Sequence, residues 1–387
     1  MSKITPFTRN DATEVADLYA RVFLDDQNVD LDDLADYFRT VYFDTPFRDD
    51  ESPSLVYRGS KKEIVAFLGV MPRPMRFQGE TIKAAIVGNL MVQGETGNGQ
   101  AGGMRKAPTH GNQLAPAALL KAFFRYPHDL CLNDTAIDQS RRIWERSGGQ
   151  TIHVYSLRWL RVLKPFHYGL ATAEGLASRA YLRPLFGAAR PIGALIDRAA
   201  RSFVVPEATV IPEGCTVDQL RPEDMVDELD ACRGYDLVPG YSVSSLAWLM
   251  DMSRARRRRD RYRSLAVRQT DGRLLGWAIY AGAPGEIGQT LQFYARQNAV
   301  DHVFDCLLHD AAGHGLMALS GKADPSHIGH FSKRRCILKT YTWTIARARR
   351  PELLQAFLAG KALFSDLESE GWTRFVQARQ KGEFALA

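Results

Sequence analysis

The spacing of apolar positions changes several times along the chain, and each change marks an element. Ile4 to Phe7 alternates as a short strand. Val15, Leu18, Tyr19, Val22 and Phe23 then recur at helical spacing, with Asn10 or Asp11 placed as the cap. A second helix is predicted over about 31–43, on Leu31, Leu34, Tyr37, Phe38 and Val41. The period then falls to two. Ser54–Tyr57, Ile64–Val70, Met75–Phe77 and Thr81–Val92 read as a meander of strands, with turns at 59–62 and 78–80. Residues 93–116 are rich in Gly, Asn, Gln and Pro, and a loop of that length inside a compact domain is either functional or disordered. A helix at about 116–125, a strand Asp129–Leu132, a helix at 136–147 stopped by Gly148 and Gly149, and a strand Thr151–Leu157 follow.

Five prolines punctuate 165–212, which reads as a helical connector with an apolar stripe at Ile192, Leu195, Ile196, Ala199 and Phe203. The opening pattern then returns. A strand Cys215–Leu220, a helix from Pro222 to about Cys232 and a helix at 244–258 precede strands Ser264–Gln269, Leu274–Ala281 and Gly288–Tyr294. A helix at 298–313 and strands near Leu316–Leu319 and Lys339–Ile345 complete it. The order β-α-α-β-β-β-α-β occurs twice, as a repeat of elements without an evident repeat of sequence. The expected fold class is therefore α+β with mixed α/β character. It consists of two domains, 1–164 and 213–387, joined by the connector 165–212, each a mostly antiparallel twisted sheet flanked by helices.

Composition narrows the class. At 387 residues the chain is long enough for two cores, and its 45% hydrophobic and 24% charged content excludes wholesale disorder. Fifty basic against 44 acidic side chains give +6, too mild to demand a nucleic-acid partner. The charge is uneven, because residues 1–60 carry −7. Five scattered cysteines without a CxxC pair point to free thiols in a reducing compartment, and with no apolar leader the expected location is the cytoplasm. No run of about 18 apolar residues predicts a membrane span.

Three words of the sequence carry a family resemblance. They are Ile86-Val-Gly-Asn-Leu-Met-Val92, then Pro116-Ala-Ala-Leu-Leu-Lys121, then Ser140-Arg-Arg-Ile-Trp-Glu-Arg-Ser-Gly148. In this order they resemble the central strand, the helix start after the pyrophosphate loop, and the helix word Ala-x-x-Leu-Tyr-Glu-Lys-x-Gly of the GNAT superfamily of acyl-CoA-dependent N-acyltransferases. The match is best over 1–165, and the second half resembles a diverged copy, as in tandem bacterial GNAT proteins. The resemblance implies acetyl-CoA or another acyl-CoA as co-substrate and an amine, or less readily a hydroxyl, that attacks the thioester directly. It also implies a central strand whose backbone binds pantetheine as a missing strand would. A helix N-terminus would hold the pyrophosphate through its N–H groups.

Carried onto this sequence, the resemblance places the acyl-CoA against Leu90, Met91, Val92, Asn112, Gln113, Leu114, Ala115, Ala117, Ser140 and Trp144. The loop departs from the family's glycine pattern, since Gly111-Asn-Gln-Leu-Ala-Pro116 and Gln113-Leu-Ala-Pro-Ala-Ala118 both break it. Trp144 stands where many members have a tyrosine that protonates the leaving thiolate, and an indole N–H has no useful acidity. Trp144 therefore reads either as a cofactor contact or as sheet packing, and Tyr155 is the candidate acid in its place. Asn89 occupies the strand position of a possible base and can orient but not titrate. Asp134 is the titratable candidate, with a helix N-cap as its other reading.

Seven arginines in Arg254–Arg263 read as an anion site or as a solvated helix end. The nine histidines show no metal-ligand spacing. The sequence thus favours an acyltransferase acting on a small-molecule, saccharide or carrier-borne acceptor, with nucleic acid an unfavoured partner and a homodimer possible. Two alternatives stay open: a Fem-type transferase using aminoacyl-tRNA, and a degenerate GNAT pair serving as a scaffold.

Overall fold

The structure is a computed structural model, and it describes residues 3–24, 30–94, 114–176, 196–199, 203–256 and 261–372. Asn112, Gln113, most of the connector and Arg257–Arg259 lie outside the described residues.

The first half builds β1 (Lys3–Pro6), α1 (Ala12–Phe23), α2 (Leu31–Tyr42), β2 (Leu55–Arg58) and β3 (Ile64–Pro72). The hairpin β4 (Met75–Phe77) and β5 (Glu80–Ile82) leads into β6 (Ala84–Val92). Then come α3 (Ala115–Phe123), β7 (Leu130–Ala136), α4 (Asp138–Arg146), β8 (Gln150–Thr151), β9 (Leu157–Val162) and α5 (Pro165–Leu176). The second half repeats the plan with β10 (Cys215–Gln219), α6 (Pro222–Ala231), β11 (Leu237–Pro239), α7 (Val243–Arg256), β12 (Tyr262–Gln269), β13 (Leu274–Ala281) and β14 (Ile287–Ala295). It ends with α8 (Val300–Gly313), β15 (Ala318–Lys322), α9 (Ile328–Lys333), β16 (Ile337–Thr340), β17 (Trp343–Ala348) and α10 (Pro351–Leu358).

The fold is mixed α and β, as expected, and its central strands alternate as the pattern requires. In the first sheet Ala85, Val87 and Cys131 face α3 and α4, while Ala84, Ile86, Leu130 and Leu132 face the other core. That second core is shared: Val15, Phe38 and Ile86 of the first half belong to one cluster with Leu246, Trp277 and Tyr294 of the second.

The two sheets exchange strands. The first has the order β1-β2-β3-β6-β7-β17-β8 and the second β10-β12-β13-β14-β15-β9-β16. β9 pairs with β15 (Ala318 opposite Val162) and with β16 (Ile337 opposite Leu160). β17 pairs with β7 (Ala348 opposite Leu130) and with β8 (Ile345 opposite Thr151). The segments 150–162 and 337–348 therefore form one antiparallel ribbon that leaves one sheet and enters the other. Boundaries at 164 and 213 follow chain order and do not coincide with the hydrogen-bonded units.

The ribbon also corrects two expected strands. Thr151–Leu157 is not continuous, because a turn of 3-10 helix at His153–Ser156 carries the chain between sheets. Ser156 Oγ accepts from Thr344 N–H there, and Thr344 Oγ donates to the Tyr155 carbonyl. Lys339–Ile345 likewise splits into β16 and β17. A third correction concerns Asp129–Leu132, which extends to Ala136, so Asp134 lies within a strand and the N-cap of α4 is Ile137.

Candidate active site between splayed strands

β6 and β7 run parallel, but their ladder covers only Ala84–Ile86 against Leu130–Leu132. Beyond Ile86 the two strands separate. On its other side β6 stays paired with β3, and the register shifts by one residue between Gly69↔Gly88 and Phe67↔Met91. That bulge falls at Asn89, whose φ of 49° is left-handed, a conformation Asn tolerates better than most residues. The extra residue also resets the alternation, so Met91 returns to the core shared by the halves while Val92 faces α3.

A carboxylate from the far end of the chain occupies the apex of the opening. Glu370 accepts from the Asn89 N–H at 2.9 Å and from Thr135 Oγ at 2.5 Å, so it bridges the separated strands. A Cβ on Gly88 would stand 2.7 Å from Glu370 Cδ, which makes glycine the residue that admits this side chain. Asn89 Nδ2 donates to the Tyr42 hydroxyl at 2.9 Å, and burial keeps that phenol protonated, well above its ordinary range.

Glu370 belongs to a segment, 362–372, that runs between the halves. Its acids have separate partners. Asp366 receives both guanidinium nitrogens of Arg158, at 2.9 and 2.6 Å, and Gln289 Nε2 at 3.0 Å. Burial alone would raise its pKa, but Arg158 and Lys322 outweigh burial and hold the carboxyl well below the usual range. Glu368 receives Tyr241 Oη, Gln292 Nε2 and both the N–H and hydroxyl of Ser365. There burial dominates, and the net shift is upward.

The expected site residues divide in two groups. Asn89 is at the apex and Leu90 is half-buried beside it, while the Met91 and Val92 side chains are buried in opposite cores. Leu114 is exposed at the start of α3, followed by buried Ala115 and exposed Ala117. Ser140 and Trp144 are the buried face of α4. Trp144 packs edge-on against Phe124 at 5.2 Å, and its indole N–H has no hydrogen-bond partner among the described residues. Asp134 adjoins Thr135 but faces Lys322, which reaches it at 2.8 Å with both side chains buried. Tyr155 is buried at the root of the 362–372 segment. Its hydroxyl donates to the Ala362 carbonyl at 2.6 Å and accepts the Ala362 N–H at 2.9 Å, and burial raises its pKa beyond useful acidity. Glu370, Thr135 and Tyr42 were not singled out by the sequence. For Glu370 the one local signal is the alternation of acids in Ser365-Asp-Leu-Glu-Ser-Glu370.

Outside the splay, a cavity of about 320 Å³ opens at the start of β6, lined by Phe47, Asp49, Ser52, Lys83, His128 and Ser245 among others. His128 is buried, its Nε2 lies 2.5 Å from Ser52 Oγ, and desolvation lowers its pKa to about 4. Three arginines of the basic run are paired: Arg254 with Asp251, Arg261 with Glu286 and Arg263 with Asp310. Among the described residues no group of three or more His, Cys, Asp or Glu side chains is placed to hold a metal, and no helix is long and apolar enough to cross a membrane.

No protein-family model matches the sequence, and comparison with curated proteins gives no match. Solved structures do match. A probable N-acyltransferase from Enterococcus faecalis is similar at a TM-score of 0.56 and 10% identity, over 92% of this chain and 74% of that one. A GCN5-related N-acetyltransferase from Anabaena variabilis is similar at 0.54 and 9%, over 91% and 74%. N-myristoyltransferase from Saccharomyces cerevisiae, with bound myristoyl-CoA and inhibitors, is similar at 0.51 and 9%, over 89% and 79%. With the splayed strands, the bulged central strand and the helix that follows, these similarities establish that the chain has the fold of the GNAT superfamily.

Proposed function

We propose that the protein is an acyltransferase that takes its acyl group from acyl-CoA and gives it to an amine, with the first half as the reacting half. One observation carries this reading. β6 and β7 part beyond Ile86, next to the bulge at Asn89, and the Glu370 carboxylate stands at the apex, where it accepts from the Asn89 N–H and the Thr135 hydroxyl. A carboxylate placed this way can accept a proton.

The pantetheine arm would lie along β6 at Leu90–Val92, on the wide side of Glu370, with its diphosphate toward the N-terminus of α3. The acceptor nitrogen attacks the thioester carbonyl carbon, and a β6 N–H polarises the carbonyl oxygen. Glu370 takes the proton that the nitrogen loses. The C–S bond then breaks and CoA leaves as the thiolate, which water protonates. Trp144 packs the helix and takes no part in proton transfer. Fit of an acyl-CoA is supported by the yeast neighbour of the same fold, described with bound myristoyl-CoA.

A second reading has its own observation. Glu370 closes the apex, and no acidic side chain replaces the family's tyrosine at 144. On that reading the chain binds a ligand without turning it over.

Thermal unfolding with acetyl-CoA and with longer acyl-CoAs decides whether a thioester binds. Ligand at 100 times its dissociation constant should stabilise by about 2.7 kcal/mol. Release of CoA thiol in the presence of a panel of amines then separates transfer from binding. Absence of any shift with every thioester overturns the acyltransferase reading.

A further inference from the structure

The second half repeats the splay. β14 and β15 pair in parallel from Ile287↔Ala318 to Thr290↔Gly321 and then part. Leu291 is the first residue past the ladder, as Val87 is in β6. Its carbonyl accepts the Leu367 N–H at 2.9 Å, so main chain of the 362–372 segment already occupies the opening. The neighbouring groups fix that segment. Gln292 Nε2 donates to Glu368 at 2.7 Å, and Trp277 Nε1 in turn donates to Gln292 Oε1 at 2.8 Å. Gln289 and Arg158 hold Asp366 on the other side. Three residues further on, Glu370 enters the first splay. Three residues of extended chain span at most about 11 Å, so the two openings lie that close together and one segment serves both.

From this we infer that the second half is a receptor for the chain's own C-terminal segment rather than a second acyl-CoA site. Asp366, Leu367 and Glu368 are its ligand, and Asp366 and Gln292 are positioning residues that aim Glu370 at the apex between β6 and β7. The inference rests on the acyltransferase reading for what Glu370 does, and on hydrogen bonding alone for where the segment docks. The sequence fits this division. The second half has no Gly-x-Gly loop between β14 and α8, where Ala295-Arg-Gln-Asn298 stands instead.

Hydrogen exchange on the full chain tests docking without any substrate. Amides at 366–370 should be protected at least 100-fold over an unstructured peptide. Asp366→Asn and, separately, Gln292→Leu should each cut that protection at least tenfold while peptides from β2 and β3 keep theirs. Unprotected amides in the native chain, or unchanged protection in Gln292→Leu, would overturn docking. Calorimetric titration with acetyl-CoA should give one site per chain. Two sites would overturn the receptor assignment. No site would remove the acyltransferase reading and leave docking to be judged by exchange. With an amine acceptor found, Gln292→Leu should shift the acid limb of the kcat/KM profile as well as lower its plateau. A lowered plateau with an unmoved limb would refute the aiming role.

Discussion

Substituting Gly88 by alanine is the most direct test of the carboxylate bridge. Gly88 has no left-handed backbone, so alanine adds only its methyl group. That carbon would stand 2.7 Å from Glu370 Cδ and 2.9 Å from Cγ, whereas carbons pack at about 3.5–4.0 Å. The carboxylate would have to retreat by about 1 Å. Its bonds to Asn89 N–H and Thr135 Oγ, at 2.9 and 2.5 Å, cannot both survive such a shift. Hydrogen bonds to a charged group contribute roughly 1.5–3 kcal/mol each, and a displaced carboxylate recovers part of that from new partners. The expected cost of Gly88→Ala is about 2–4 kcal/mol. Urea unfolding measures it, and a double-mutant cycle assigns it. In a Glu370→Ala background the crowding is gone, so Gly88→Ala should cost under about 0.5 kcal/mol. Equal costs in both backgrounds would refute the argument that Glu370 fills the space beside Gly88.

Three further outcomes are expected. Lys322→Met should destabilise by about 3–5 kcal/mol in urea unfolding, because it strands the buried Asp134 carboxylate, and Asp134→Leu in the same chain should restore most of the loss. His128 has a folded-state pKa of about 4 against an ordinary 6.5, so the unfolded chain binds a proton that the folded chain refuses. Its contribution is complete above about pH 6.5 and is lost as the pH falls toward 4, by up to about 3 kcal/mol, and His128→Gln should flatten that part of the stability–pH curve. Tyr155→Phe should cost about 1–3 kcal/mol and raise exchange at 362–372, since the hydroxyl both donates to and accepts from Ala362, and a loss of turnover without loss of stability would contradict that anchoring role.

What could be read from the sequence was what neighbouring residues decide. The short apolar run Ile64–Val70 and the helical stripe on Val15, Leu18 and Val22 each report a local choice, and the order of elements followed from such choices. The bulge was not legible, since Gly88-Asn89 fits a straight strand equally well until the parity change between Val87 and Met91 is seen. Nor was the exchange of β9 and β17. A strand's pattern states which face is buried and not which sheet it joins, and Trp159 packs against Phe304 and Phe331 of the second half without any local sign of it. Asp134 reads from the sequence as a titratable candidate or a helix N-cap, and its pairing with Lys322 was not legible because that residue lies 188 positions away.

The carboxylate at the apex leaves no local motif in the sequence for the same physical reason. A base that belongs to the strand it serves leaves a motif, because its spacing from the bulge is fixed by the chain. Glu370 is 281 residues from Asn89, and its placement depends on contacts made by Asp366 and Glu368 in the other half. Any substitution in the second half that loosens those contacts should therefore act on the first half at a distance. Its effect would arise without altering a residue that touches the thioester. That coupling needs a physical link between two sites, and here the link is three residues of main chain. On the proposed reading one half keeps the chemistry and the other holds its base, so both must be present. The first half expressed alone should retain neither the Glu370 bridge nor the β17 strand that completes its sheet.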